Sequence, residues 1–141
     1  MASIDDFKSN LIGGGARANQ YRVIMGLPGA ITTGLDPNRT SFLVKATSLP
    51  GQTISEIEVQ FRGRQLYMAG DRTVEAWTTT FINDTDFMVR NAMERWMSGI
   101  NDLETGVGLT NVSDYTAQLR VEQLDRDDNI LKSYVLKNCW P

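Results

Sequence analysis

Taken two residues at a time, the stretch 53–70, TISEIEVQFRGRQLYMAG, sorts Thr53, Ser55, Ile57, Val59 and Phe61 to one side, and Ile54, Glu56, Glu58, Gln60 and Arg62 to the other. This alternation marks a strand with one wet face. A two-residue loop over Gly63 and Arg64, with Gly first as a type II′ turn demands, sets Arg62 against Gln65, Phe61 against Leu66, Val59 against Met68 and Ile57 against Gly70. The apolar sides of both arms then coincide, whereas a three-residue loop would mix them. The pattern therefore predicts a long hairpin with one greasy side and one side carrying Glu56, Glu58, Gln60, Gln65 and Tyr67. A two-stranded ribbon alone is marginal in water and leaves both edges unpaired, so either the rest of the domain or a neighbouring copy must cover it.

The remaining pattern predicts a mainly β chain. Residues 20–25 alternate as a strand, 30–41 read as a loop of turn formers, and 42–47 form a second strand closed by Leu49-Pro50-Gly51. Residues 73–83, rich in threonine with Trp77 and Phe81, read as one strand. A single convincing helix follows, with Asp84 as its N-cap and Val89, Ala92, Met93, Trp96, Met97 and Ile100 at helical spacing. Residues 101–114 read as loop, and a last hairpin pairs 115–124 with 130–137. The first stretch, 1–18, carries few apolar residues and Gly13-Gly14-Gly15, which suits an arm that orders only against a partner. The triple glycine lacks the Lys-Ser/Thr ending and the preceding strand of a phosphate loop.

Composition narrows the chemistry. The 141 residues fit one domain, expected over 19–141, and no apolar run is long enough to cross a bilayer. The lack of histidine removes the commonest general base and transition-metal ligand. A lone Cys139, expected to be buried near a strand end, leaves no disulfide and no multi-cysteine metal cluster. A net charge of −3 disfavours a protein that grips phosphate backbones. Asp125, Asp127 and Asn129 match the first ligand positions of an EF-hand loop, but Ile130 and Leu136 stand where that loop needs Gly and Glu. A solvated turn accounts for them better. Asp102, Glu104 and Asp114 also sit in turns, without apolar surroundings that would tune them for acid–base work. No catalytic residue, cofactor or metal ligand is expected.

The motifs Gly13-Gly14-Gly15-Ala16-Arg17-Ala18-Asn19, Leu49-Pro50-Gly51, Val59-Gln60-Phe61-Arg62-Gly63-Arg64-Gln65, Ala69-Gly70-Asp71-Arg72-Thr73, Trp77, and Ile82-Asn83-Asp84-Thr85-Asp86-Phe87 leading to Trp96 run in order along the chain. Together they resemble the tail tube proteins of contractile-tailed bacteriophages. The resemblance implies an antiparallel β-sandwich or barrel with one flanking α-helix, and a hairpin sheet that joins a ring-wide lumen β-barrel. It implies hexameric rings stacked into a tube, with tail sheath protein outside, tape-measure protein and genomic DNA passing through without specific binding, and baseplate and tail terminator proteins at the ends. It places the protein in the virion tail, assembled in the host cytoplasm, with no membrane partner. The family's further pair of strands beyond Lys137-Asn138-Cys139-Trp140-Pro141 is expected to be absent. The related tube of type VI secretion, or of another contractile injection system, shares the architecture. A monomeric β-sandwich binding module would explain the strands and Trp77, though not so extended a wet face.

On this reading Glu56, Glu58, Gln60, Gln65 and Tyr67 line the lumen. Arg62 and Arg64 meet the next ring, and Phe61, Trp77 and Trp96 anchor the core. Ile57, Val59, Leu66 and Met68 face that core with Phe61.

Overall fold

In the computed structural model, which describes residues 3–141, the chain divides into two compact units: residues 3–44 with 81–141, and residues 45–80. Met1 and Ala2 of the expected arm lie outside the described residues. The molecule is mainly β with antiparallel sheets, and among the described residues no sheet closes into a barrel.

The larger unit is built on a three-stranded sheet in the order β1 (Tyr21–Met25), β6 (Ala117–Leu124), β7 (Ile130–Cys139), antiparallel throughout. Val23 and Met25 on β1 and Ala117, Leu119 and Val121 on β6 point to one side and are buried. Val23 pairs with Val121 and Met25 with Leu119, so the alternation that makes each strand amphipathic also aligns their apolar residues. Helix α3 (Met88–Ile100) adds Val89, Ala92 and Trp96 to the core. Trp96 is 2% exposed, and its indole N–H donates to the Tyr115 carbonyl at 2.6 Å. Its polar atom is thus satisfied where water cannot reach it. On the sheet's other side Glu122, also 2% exposed, lies between Arg22 and Arg120, whose nitrogens stand 3.8 and 3.7 Å from its oxygens. A carboxylate so far out of water depends on those two cations.

Several local expectations are corrected. Among the described residues four α-helices occur where one was expected. Residues 30–41 are not all loop: Asp36 caps helix α2 (Pro37–Leu43), its carboxylate accepting the Asn38 N–H at 3.0 Å, and Pro37 takes the first turn, where its missing N–H costs nothing. Thr40 is fully buried, its hydroxyl donating to the Asp36 carbonyl at 2.7 Å, and α2 packs against β1. The second strand accordingly starts only at Val44 (β2, Val44–Thr47). Asp84 does not cap α3. Phe87, in left-handed conformation with φ 50°, holds that position, and Asp84 instead pairs with Arg39 of α2. Arg39 also reaches Asp86 at 3.2 Å, and the Asp86 hydrogen bond together with the Asp84 charge pushes the guanidinium further toward its charged form. Helix α1 (Ile4–Asn10) occupies part of the expected arm, closed by a reciprocal cap between Ser3 and Asp6, with none of its residues buried. The short helix α4 (Val112–Tyr115) ends the expected loop 101–114.

The β6–β7 hairpin appears as expected, with Ile130 as the first residue of β7. In its turn the Asp125 carboxylate accepts the N–H groups of Asp127 at 2.8 Å and Asn129 at 2.9 Å, and the Asn129 side-chain amide at 3.3 Å. These bonds, led by the Asn129 backbone N–H, hold the Asp125 carboxyl below the usual carboxylate range. Cys139 ends β7 half-buried, and burial pushes its thiol up.

Two outcomes follow from this packing. Trp96→Ala should cost about 3–5 kcal/mol, the usual range for truncating a buried aromatic, read as a lowered denaturant midpoint. Asp125→Ala should destabilise the protein at neutral pH and hardly at all in acid. A carboxyl whose pKa is depressed by folding stabilises above its unfolded pKa, and loses that contribution as pH falls through the folded value. A wild-type and variant difference that persists unchanged to about pH 2, below the ordinary carboxyl range, would contradict this.

Candidate functional site

The smaller unit is dominated by β3 (Gln52–Phe61) and β4 (Arg64–Val74), which pair only with each other. The hairpin turns over Arg62 and Gly63, one residue earlier than Gly63-Arg64. Both have positive φ, 49° and 79°, which makes the turn type I′ in place of II′. Phe61 therefore pairs with Arg64, Gln60 with Gln65, Val59 with Leu66, Glu58 with Tyr67 and Ile57 with Met68. The predicted pairs Phe61–Leu66, Val59–Met68 and Ile57–Gly70 are each shifted by two residues on β4. Because a shift of two preserves the pleat, the two sides keep their predicted composition. Arg62 stands at the turn with its guanidinium 5.3 Å from the centre of the Phe61 ring, and Arg64 begins β4 on the greasy side.

One feature escaped the alternation. Between Ile54 and Glu56 the register slips, so that Gly70 and Asp71 stand against Ser55. A Cβ on Gly70 would come within 2.9 Å of the Ser55 hydroxyl and 3.0 Å of Ile57, so the bulge needs a residue without one. Ser55 closes it by donating its hydroxyl to the Asp71 carbonyl at 3.2 Å. The slip brings Arg72 opposite Ile54, on the same side as Glu56 and Glu58. A glycine inside a strand pattern was the available signal for that displacement.

The wet side thus gathers Glu56, Glu58, Gln60, Gln65 and Tyr67, with Arg72 at its base. Tyr67 donates its hydroxyl to Gln65 at 3.2 Å, while Glu56 and Glu58 make no ion pair among the described residues. The other side is not a core. Ile57, Val59, Phe61, Leu66 and Met68 are all exposed, Phe61 by 64%. Phe61 therefore does not anchor this unit's interior, since no element of the unit lies over β3. Trp77 is half-buried and donates its indole N–H to the Ser48 carbonyl at 2.7 Å. The expected strand 73–83 breaks around it: β4 stops at Val74, the Glu75 N–H bonds to the Gly51 carbonyl at 3.1 Å, and only β5 (Thr79–Phe81) resumes, paired with β2.

Within its own unit the ribbon leaves two strand edges unpaired and an apolar side uncovered, an arrangement chemically able to bind other chains. Gly70→Val should open the ribbon at the bulge. Amide exchange near Ser55 and Asp71 should quicken severalfold while the Trp96 environment, followed by fluorescence, stays as it is; unchanged exchange would mean the bulge tolerates a Cβ.

Comparison with known proteins bears on what that surface joins. The family model described as phage tail tube protein matches residues 16–141. The tail tube protein of Serratia phage KSP90 is 32% identical over the whole of this chain and 81% of its own length. Tail tube protein gp19 of Enterobacteria phage T4 is 31% identical over 72% of this chain, and the match spans 63% of that relative's length.

Proposed function

The chain belongs to the phage tail tube protein family, and from that premise we propose that it closes hexameric rings which stack into a hollow conduit for DNA and tape-measure protein. As a tail tube protein it has a structural role in the phage tail. The observation that carries the finer reading is the β3–β4 ribbon, which has both edges unpaired and its apolar side uncovered. Placed side by side around a ring, such ribbons satisfy each other's edges and close a sheet on itself, which is the complete remedy for an exposed edge. Ile57, Val59, Phe61, Leu66 and Met68 then turn outward against protein, and Glu56, Glu58, Gln60, Gln65 and Tyr67 turn toward the water of the lumen.

A conduit must not hold what passes through it. Carboxylates repeated from ring to ring repel phosphate, whereas lysines would release counterions and bind it. Arg62 and Arg64, at the ribbon's tip, are assigned to the contact with the next ring, and the segment 3–18 to an adjacent subunit. The sheath protein lies outside the tube, with baseplate and terminator proteins at its ends, and the tube is assembled in the host cytoplasm.

The double substitution Glu56→Lys with Glu58→Lys tests the two sides of the ribbon. Tubes should still form under electron microscopy, because the altered side is wet, but they should begin to retain DNA in a salt-dependent manner and ejection should slow. Failure to fold, or tubes that pass DNA unchanged, would show that this side is not the lumen.

A further inference from the structure

At its tip the β3–β4 ribbon gathers two guanidinium groups around one exposed ring. Arg62, in the turn, holds its guanidinium 5.3 Å from the centre of the Phe61 ring, and Arg64 pairs with Phe61 across the strands. Phe61 is 64% exposed, and neither arginine makes an ion pair among the described residues. The nearest carboxylate along the ribbon, Glu58, stands four residues back from Arg62. That is roughly 13 Å of strand, beyond the Debye length of about 8 Å at physiological salt. The tip is thus an apolar ring between two uncompensated positive charges, and its complement is an apolar side chain between two negative ones.

The larger unit carries that pattern. Leu103, 99% exposed, lies in the loop between α3 and α4, with Asp102 before it and Glu104 after it. The loop holds its own shape: the Gly106 N–H donates to the Asp102 carbonyl at 2.8 Å, the Asp102 N–H to the Val107 carbonyl at 3.1 Å, and the Leu109 N–H returns to the Gly99 carbonyl at 3.2 Å. Nothing basic lies close by in the chain. No lysine or arginine occurs from 96 to 119, and Gly99, where the loop closes, packs against Ile31 of the uncharged stretch 26–35. The Asp102 carboxylate accepts the uncharged Thr105 hydroxyl at 2.8 Å, and neither Asp102 nor Glu104 makes an ion pair among the described residues. Both follow directly on the C-terminus of α3, whose last turn holds no basic residue. Carboxylates there face the negative end of the helix dipole, a conflict that a cation from outside would relieve.

We propose that the ribbon tip of one copy docks on the α3–α4 loop of the next, Phe61 against Leu103, with Arg62 and Arg64 meeting Asp102 and Glu104. Other cations suit the loop less well, since Arg126 stands among Asp125, Asp127 and Asp128, and Arg72 follows Asp71. A contact between two different patches is heterologous, so it repeats from copy to copy. The inference rests on the self-assembly reading above and deepens it by naming what the tip meets in the next ring.

Two full-length variants with opposite charge reversals test the pairing. R62E/R64E alone and D102K/E104K alone should each need a roughly tenfold higher concentration than the wild type to form tubes under electron microscopy, because each sets like charges against one another. An equal mixture should assemble at the wild-type concentration, since every tip then finds a loop of opposite sign on the other variant. Either variant assembling alone as the wild type does, or a mixture as inert as its parts, would overturn the contact while wild-type tubes leave the tube reading standing. Where a reversal unfolds the chain, or the wild type forms no tubes, disulfide trapping decides. In a C139S background, R64C and L103C preparations mixed under mild oxidation should cross-link roughly tenfold faster than either does alone, because docking holds the two thiols together. No such excess overturns the contact; an excess without tubes upholds the contact and removes the tube reading.

Discussion

A strand edge in water is a row of unsatisfied donors and acceptors, and the β3–β4 ribbon has two of them. To this it adds an apolar side with nothing over it in its own unit. Neither defect is repaired locally, yet the ribbon is carefully made: a type I′ turn whose twist suits the strands, a bulge that admits only a glycine, and two long strands of 10 and 11 residues. Such investment in an element that is incomplete alone makes sense for a component of a larger sheet. The larger unit presents the opposite case. Val23, Val121, Ala92 and Trp96 form a closed interior there.

The two sides of the ribbon were legible because a period of two survives any even shift of register. The register itself was not. Gly63 can stand first or second in a two-residue loop, and a type II′ turn places it first. In the molecule Arg62 adopts positive φ, with its guanidinium near the ring of Phe61. The α3 stripe ending at Trp96 was equally legible, since apolar residues at helical spacing need a sheet to cover them. Its start was not, because Asp84 had a stronger claim from Arg39, a residue distant in sequence. Helix α2 could have been found from Asp36-Pro37, an N-cap followed by a first-turn proline, but its glycine- and turn-rich surroundings concealed it. The exposure of Phe61 lay beyond sequence reasoning of this kind. Alternation says which residues share a side, and says nothing of whether this chain or another covers it.

The fate of the carboxylates sharpens the contrast between the units. Asp84 and Asp86 hold Arg39, Asp125 organises a turn, and Glu122 lies between two arginines. Each of these is consumed by the architecture that surrounds it. Glu56 and Glu58 are not: they sit two residues apart on one side of β3 with neutral Tyr67 and Ala69 opposite, and the nearest cation on that side, Arg72, has been carried by the bulge to the ribbon's base, opposite Ile54. Had the strands paired without the slip, Asp71 would have stood there instead, and the whole side would be negative.

In a single subunit two free carboxylates are a small matter, since exposed charges beyond a Debye length of about 8 Å are screened at physiological salt. Symmetry changes the scale. In the proposed ring, neighbouring ribbons stand side by side, and repetition along the axis stacks each charge over its counterpart, so the field inside a narrow lumen sums contributions that screening would separate on an open surface. Arg72 at the base of every ribbon would then alternate with the glutamates along the axis, a banded wall that repels phosphate in most places without accumulating an unrelieved charge. In such a ring the glycine at position 70, which first looks like a defect in the strand pattern, would set that banding.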